Sequence, residues 1–251
     1  MTYAGIDIGS RSIELVIIDE NGQIAECLKT DTGFNPVAQA QTLIKGRTFE
    51  KIMATGYGRG LFEMAFDHAQ TVTEIKAHAR GVVHEFEDAA SILDIGGQDS
   101  KAIALNAKGR VIKFEMNDRC AAGTGKFLEI MAKNLGFSLD QFGVAALAAN
   151  QDLSINSMCT VFAESEVTSL IAQGADRQEI ARGLHLSVVK RAAAMIGRVS
   201  SQGPIVFSGG VAKNPCIRDL VAEKMNRQVL VPKDPQMMGA MGAALLLLDR
   251  G

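Results

Sequence analysis

Two cysteines stand in settings that ordinary packing does not require. Cys120 lies in "NDRCAAGTGKF" (Asn117–Phe127), a small, glycine-punctuated turn that runs into a helical pattern. Cys159 lies in "INSMCTVFAESEV" (Ile155–Val167), also just ahead of a helical pattern. A helix N-terminus carries positive partial charge and free N–H donors, so it favours thiolate and, with it, an anionic metal–sulfur centre. Two thiolates per chain cannot supply the four ligands of a cubane iron–sulfur cluster, whereas a two-fold dimer can, with the cluster on its axis. Inert packing is the competing account of two isolated thiols, and the residues alone leave both open. Cys27 and Cys216 have no partner at a meaningful spacing and read as packing. The absence of any C-x-x-C pair argues against a zinc knuckle or a thioredoxin-type site.

A second chemistry is written twice. "GIDIGSRSIELVIIDENG" (Gly5–Gly22) and "LDIGGQDSKAIALNAKG" (Leu93–Gly109) share one plan: an apolar strand, D-I-G, a polar turn, a second strand, and a closing glycine. Glycine after a strand lets backbone N–H groups approach an anion, and turn amides form a nest for phosphate. Two such turns facing each other across a cleft would clamp a polyphosphate. The aspartates that end the first strands, Asp7 and Asp94, are placed to hold hydrated Mg²⁺. A third glycine element, "VFSGGVAKN" (Val206–Asn214), suits a flat nucleoside lying against backbone at Gly209 and Gly210. Neither a P-loop nor a G-x-G-x-x-G fingerprint is present.

The elements that must position these residues follow the duplication. Each repeat continues as a three-strand meander, with third strands near Ile24–Lys29 and Val111–Met116, and then turns helical. The first half carries helices near Pro36–Lys45 and Gly60–Ala69 around the strand "KIMAT". The second carries helices near Thr124–Leu135, Leu139–Ala149, Phe162–Gln173 and Asp176–Arg198. The strand "PIVFSGG", a helix around Ala212–Met225, the strand "QVLVP" and a last helix over Met237–Leu248 complete the chain. The pattern predicts an α/β fold of two halves joined near Glu74–Glu87. The first half takes residues 1–76 with the C-terminal segment 237–251, and the second takes 77–236.

The 251 residues, 47% hydrophobic, suffice for one large domain or two of ordinary size. A formal charge of −2 and the lack of a basic stripe exclude nucleic acid and anionic membrane as expected partners. The longest apolar stretch, Met237–Leu248, is too short to span a bilayer, and no signal segment opens the chain. A cytoplasmic protein is expected, where structural disulfides are rare.

"DIGS", "DIGGQDSK" and "FSGGVAKN" resemble the two phosphate elements and the adenosine element of the superfamily of actin, sugar and acetate kinases and heat-shock ATPases. The resemblance implies a duplicated ribonuclease-H-like, actin-like ATPase fold that binds ATP with Mg²⁺, its final helix crossing back to the first half. "DIGGQDSK", "MNDRCAAGTGKFLE" and "CTVFAESEV", supported by "ATGYGRG" and "TEIKAHARG", are more specific. They resemble the activator components of 2-hydroxyacyl-CoA dehydratases and the related ATPase subunits of benzoyl-CoA reductase. That resemblance implies a homodimer with one [4Fe–4S] cluster held by Cys120 and Cys159 of both chains. It also implies an oxygen-sensitive, ATP-driven transfer of single electrons from ferredoxin or flavodoxin to a dehydratase-type partner.

Asp7, Asp94 and Gln98 are the expected catalytic residues. Gly9, Ser10, Arg11, Gly96, Gly97, Asp99, Lys101, Gly209, Gly210 and Lys213 are the expected nucleotide-binding set. Arg11 and Lys101 read equally as solvated hairpin charges. Glu164 and Glu166 read as ribose contacts or, with a slight preference, as first-turn helix acids, Tyr57 and Arg59 as approaching nucleotide or partner or as plain loop residues, and Glu74 with His78 as an i,i+4 surface pair. The competing functions are a benzoyl-CoA-reductase-type ATPase subunit, a small-molecule kinase of the same fold without a cluster, and a nucleotide- or redox-sensing switch that binds a partner without pumping electrons.

Overall fold

A computed structural model describes residues 1–157, 159–200 and 202–250. Met158, within the second cysteine motif, Ser201, and Gly251, at the end of the 237–251 segment, lie outside the described residues. The elements run β1 (Thr2–Ile8), β2 (Ser12–Asp19), β3 (Ile24–Asp31), α1 (Pro36–Ile44), β4 (Lys51–Thr55), α2 (Arg59–Ala65), β5 (Gln70–Thr71) and α3 (Glu74–Glu85). Next come β6 (Ser91–Ile95), β7 (Ser100–Leu105), β8 (Val111–Asn117), α4 (Gly125–Asn134), α5 (Leu139–Leu147), α6 (Thr160–Ala172) and α7 (Arg177–Val199). The chain ends with β9 (Ile205–Ser208), a 3₁₀ turn (Gly210–Lys213), α8 (Pro215–Met225), β10 (Val229–Leu230) and α9 (Met238–Leu248).

The chain divides into two compact units. Unit 1 comprises Met1–Ala90, Leu105–Ile112 and Pro232–Gly251; unit 2 comprises Ser91–Ala104 and Lys113–Val231. Each is built on a mixed five-stranded sheet, ordered β3-β2-β1-β4-β5 in the first and β10-β9-β6-β7-β8 in the second. The central strand pairs antiparallel with its successor in both: Asp7 faces Glu14 across β1 and β2, and Asp94 faces Lys101 across β6 and β7. A parallel strand flanks the other side, β4 in one and β9 in the other. The third strand of each meander is largely exposed, whereas β1, β2, β6 and β7 are buried almost throughout.

α9 is apolar on every side and almost wholly buried, as an all-round hydrophobic helix must be. It reaches β1 because Gly5 has no side chain: a Cβ there would run into the Ala240 carbonyl. Gly242 meets the backbone of Ala77 and Gly81 in the same way, so α9 and α3 cross at backbone contact. In unit 2 the core joins Leu93 and Ile95 of the sheet to Phe127, Leu128 and Met131 of α4, Phe142 of α5, and Leu184 and Val188 of α7.

Candidate functional site

Both D-I-G turns close with the same bond. The Gly9 N–H donates to Ser12 O at 3.0 Å, and the Gly96 N–H donates to Asp99 O, also at 3.0 Å. In unit 1 the Thr32 hydroxyl donates to Gly9 O at 2.7 Å and fixes the turn from β3. Ser10 and Arg11 are exposed at its tip, as Gln98 is at the tip of the other turn. The carboxylate of Asp7 lies beneath them, nearly buried. Gly56 (φ 88°) and Gly239 make room for it, since a side chain on either would collide with its oxygens.

His78 Nε2 is 3.7 Å from Asp7 Oδ2, and the ring is buried. His78 is not the surface residue expected: it is buried and faces Asp7, while Glu74, one turn earlier, lies 4.0 Å from Arg59. The helix period was legible in the sequence, but which face of α3 met the sheet was not. Glu14, register partner of Asp7, accepts from the Ser12 hydroxyl at 2.6 Å. Its carboxyl is pushed up to about 7, chiefly by burial and then by the charge of Asp7.

In unit 2 the same position holds a cation. Lys101 Nζ is 3.3 Å from Asp94 Oδ2 and 2.5 Å from Asp99 Oδ2, with Lys101 and Asp94 both 2% exposed. Lys101 is therefore not a solvated hairpin charge. The Ser208 hydroxyl donates to Asp94 Oδ1 at 2.9 Å, from the strand that carries the nucleoside element. Gly209 follows with φ 82°, its α-carbon packed on the Ile95 carbonyl and on Asp94, where any side chain would collide. Gly210 and Lys213 are exposed at the two ends of the 3₁₀ turn.

Asn214 then caps α8, accepting from the Ile217 N–H at 3.1 Å, and its amide lies 2.9 Å from His185 Nε2. His185 is fully buried against Phe142, with Nδ1 2.7 Å from Ala181 O. Nδ1–H therefore donates to that carbonyl, and Nε2 accepts from Asn214. Burial drives the pKa of this ring from 6.5 down to about 4. The unfolded chain takes up a proton near 6.5 that the folded chain refuses until about 4, so stability falls as pH drops through that window. The loss should reach roughly 3 kcal/mol once the window is crossed. In urea denaturation at a series of pH values, His185→Gln should show a shallower acid limb than the unmodified protein.

The segment carrying Cys120 is tied directly to the second phosphate turn. The Gly125 N–H donates to Gly96 O at 2.9 Å, and the Lys126 N–H to Gly97 O at 2.8 Å. The first two amides of α4 are therefore spent on the turn, whereas a centre at Cys120 was their expected acceptor. Cys120 itself is exposed, in a loop that the Asn117 side chain braces by donating to Cys120 O at 2.9 Å and to Ala122 O at 3.3 Å. Cys159 is exposed as the N-cap of α6. Glu166 of that helix accepts from the Asn156 and Ser157 N–H groups at 3.0 and 2.8 Å, pinning the approach to the cysteine. The first turn of α6 holds no acidic residue, which corrects the first-turn expectation for Glu164 and Glu166. Asn134 donates to Glu164 at 3.0 Å and links α4 to α6. Cys27 is exposed on β3; Cys216 is buried, its thiol pushed up to about 11, and stays protonated packing.

Among the described residues, no group of three or more His, Cys, Asp or Glu side chains could close around a metal ion. The donors present fit partial shells. Cys120 and Cys159 are unbridged, exposed thiols suited to half of a cubane's ligand set. Asp7 with Glu14 suits an ion that keeps water and phosphate oxygens.

Residues 4–246 match the BadF/BadG/BcrA/BcrD ATPase family. The chain belongs to this family. It is 41% identical to the activator of lactoyl-CoA dehydratase from Anaerotignum propionicum, over 98% of this chain and 96% of that one. The solved activator of the 2-hydroxyisocaproyl-CoA dehydratase from Clostridium difficile, with bound ADPNP, is 38% identical. It superposes with a TM-score of 0.89 over 100% of this chain and 95% of that chain. Component A of the (R)-2-hydroxyglutaryl-CoA dehydratase of Acidaminococcus fermentans gives 0.92 at 32% identity, covering 100% and 98%. The fold is accordingly the duplicated α/β fold of actin-like ATPases. No helix among the described residues is long and apolar enough to cross a membrane.

Proposed function

We propose that this ATPase-family protein is an ATP-driven one-electron activator of a 2-hydroxyacyl-CoA dehydratase-type iron–sulfur enzyme, and that it works as a homodimer. In this reading Cys120 and Cys159 of two copies hold one [4Fe–4S] cluster, which when bound supplies low-potential one-electron chemistry fed by reduced ferredoxin or flavodoxin. Gly9, Ser10, Arg11, Gly96, Gly97 and Gln98 hold the phosphates. Asp7 and Asp94 organise Mg²⁺ and the attacking water; Asp99 holds Lys101 in place beside Asp94. Gly209, Gly210 and Lys213 receive the nucleoside.

The observation that carries the reading is the pair of hydrogen bonds from Gly125 and Lys126 to Gly96 and Gly97. Peptides whose amides are suited to phosphate have their carbonyls bound to the helix that follows Cys120. A turn that adjusts when the γ-phosphate leaves must pull on α4, and through Asn134 and Glu164 on α6. The two cysteine-bearing segments therefore respond to the nucleotide. The names of the high-coverage relatives, activators of acyl-CoA dehydratases, support the same assignment.

Anaerobic purification tests it. The expected product is a brown dimer that bleaches in air and reduces a dehydratase partner only with hydrolysable ATP. A colourless, iron-free, fully folded dimer would overturn the reading.

A further inference from the structure

The two halves of the duplication treat their aspartates oppositely. Counting seven residues on from each D-I-G aspartate reaches the facing residue on the next strand: Glu14 for Asp7, Lys101 for Asp94. The buried ammonium of Lys101 is shared between Asp94 and Asp99. In unit 1 the corresponding place holds a second carboxylate, 5% exposed. Basic side chains near it include His78, on Asp7, and Lys29, which faces Glu14 across β2 and β3 but is exposed and donates to Gln236. Two carboxylates on adjacent strands, largely out of water, repel unless a proton or a cation is shared between them, and a bound divalent cation holds both ionised.

A separate observation points at the same spot. Asp7 is also the register partner of Thr55 on β4, so Thr55, Asp7 and Glu14 project from one face of the sheet in a row. The Thr55 hydroxyl is fully buried and has no hydrogen-bond partner among the described residues. A buried hydroxyl without a partner is costly and rare, and it calls for something that brings an oxygen to it.

We propose that unit 1 takes up the divalent cation that accompanies the nucleotide, with Asp7 and Glu14 as its protein carboxylates and the Thr55 hydroxyl bonded to its water shell. Mg²⁺ suits the place, because it is bound through one or two carboxylates together with water and phosphate oxygens. Asp94, already matched by Lys101, is left to orient water and polar ligands. The assignment rests on the ATP-binding reading above and gives the two halves unequal parts in it.

Mn²⁺, in place of Mg²⁺, gives a direct readout in the full-length protein with ADP, by the loss of the free-ion paramagnetic signal. Glu14→Gln should weaken Mn²⁺ binding by about tenfold or more, the scale seen when partners of a metal site are lost. ADP affinity measured in chelator should be unchanged. Thr55→Val should weaken Mn²⁺ binding in the same direction by less. Wild-type Mn²⁺ affinity in Glu14→Gln would overturn the site. If that variant does not fold, wild-type affinity in Thr55→Val would do so instead. A protein that binds no ADP with or without metal would remove the nucleotide reading itself, and the cation site with it.

Discussion

Cys120→Ser and Cys159→Ser should each yield a colourless dimer or monomer that still binds nucleotide. A cubane that loses one of two ligands from each chain is left with half its set, so neither variant should retain iron and sulfide after desalting. Nucleotide binding should survive, because Cys120 and Cys159 are exposed and their side chains brace neither phosphate turn. The loop at Cys120 is held by the Asn117 amide and by the Thr124 hydroxyl on Ala121 O, and the approach to Cys159 by Glu166. Iron and sulfide content, visible absorbance and an ADP titration on the same preparation separate the two properties. A normal cluster in either variant would show that the ligand is elsewhere.

The second large effect should come from Lys101→Met. The substitution keeps the apolar stem and removes the ammonium set between Asp94 and Asp99. Removing one member of a buried ion pair costs roughly 3–5 kcal/mol, most of it the desolvation of the charge left behind. Urea denaturation should show that loss, and the double variant with Asp94→Asn should recover part of it, because the carboxylate no longer needs a counter-ion. Equal losses in the single and double variants would mean that Lys101 stabilises through packing or through Asp99 alone.

The duplication was legible because strands, turns and glycines recur at a fixed offset, and the paired registers of Asp7 with Glu14 and Asp94 with Lys101 follow from it. The same alignment already set Glu14 against Lys101, so the charge difference between the halves stood in the sequence without a meaning attached. Lys101 could not be read as buried, since a hairpin lysine is ordinarily solvated and only the packed sheet shows it to be 2% exposed. His78 had the same ambiguity: the period of α3 identified a helix, but its orientation depends on Gly81 and Gly242, which let α9 press against it. Glu166 looked like a helix acid, and its partners, the amides of Asn156 and Ser157, lie ten and nine residues earlier in a segment without regular structure. The amides opening α4 could not be assigned from sequence either, because a helix N-terminus near a cysteine suggests one acceptor and the fold supplies another.

The last helix also bears on the order in which the chain is made. α9 covers β1 at Gly5 and α3 at Gly81, and the cluster of Tyr3, Val16, Ile18, Met53 and Ala77 is closed by α9 residues, Met241, Ala244 and Leu245 among them. Every other strand and helix of unit 1 has left the ribosome long before those residues exist, whereas the residues of unit 2 end at Val231. The unit whose strands are synthesised first is therefore the one that must wait, its apolar sheet face bare until α9 arrives. A ribosome stalled or a message truncated just short of Met237 would release a protein with its second sheet intact and its first without a lid, an apolar surface for chaperones and proteases to act on.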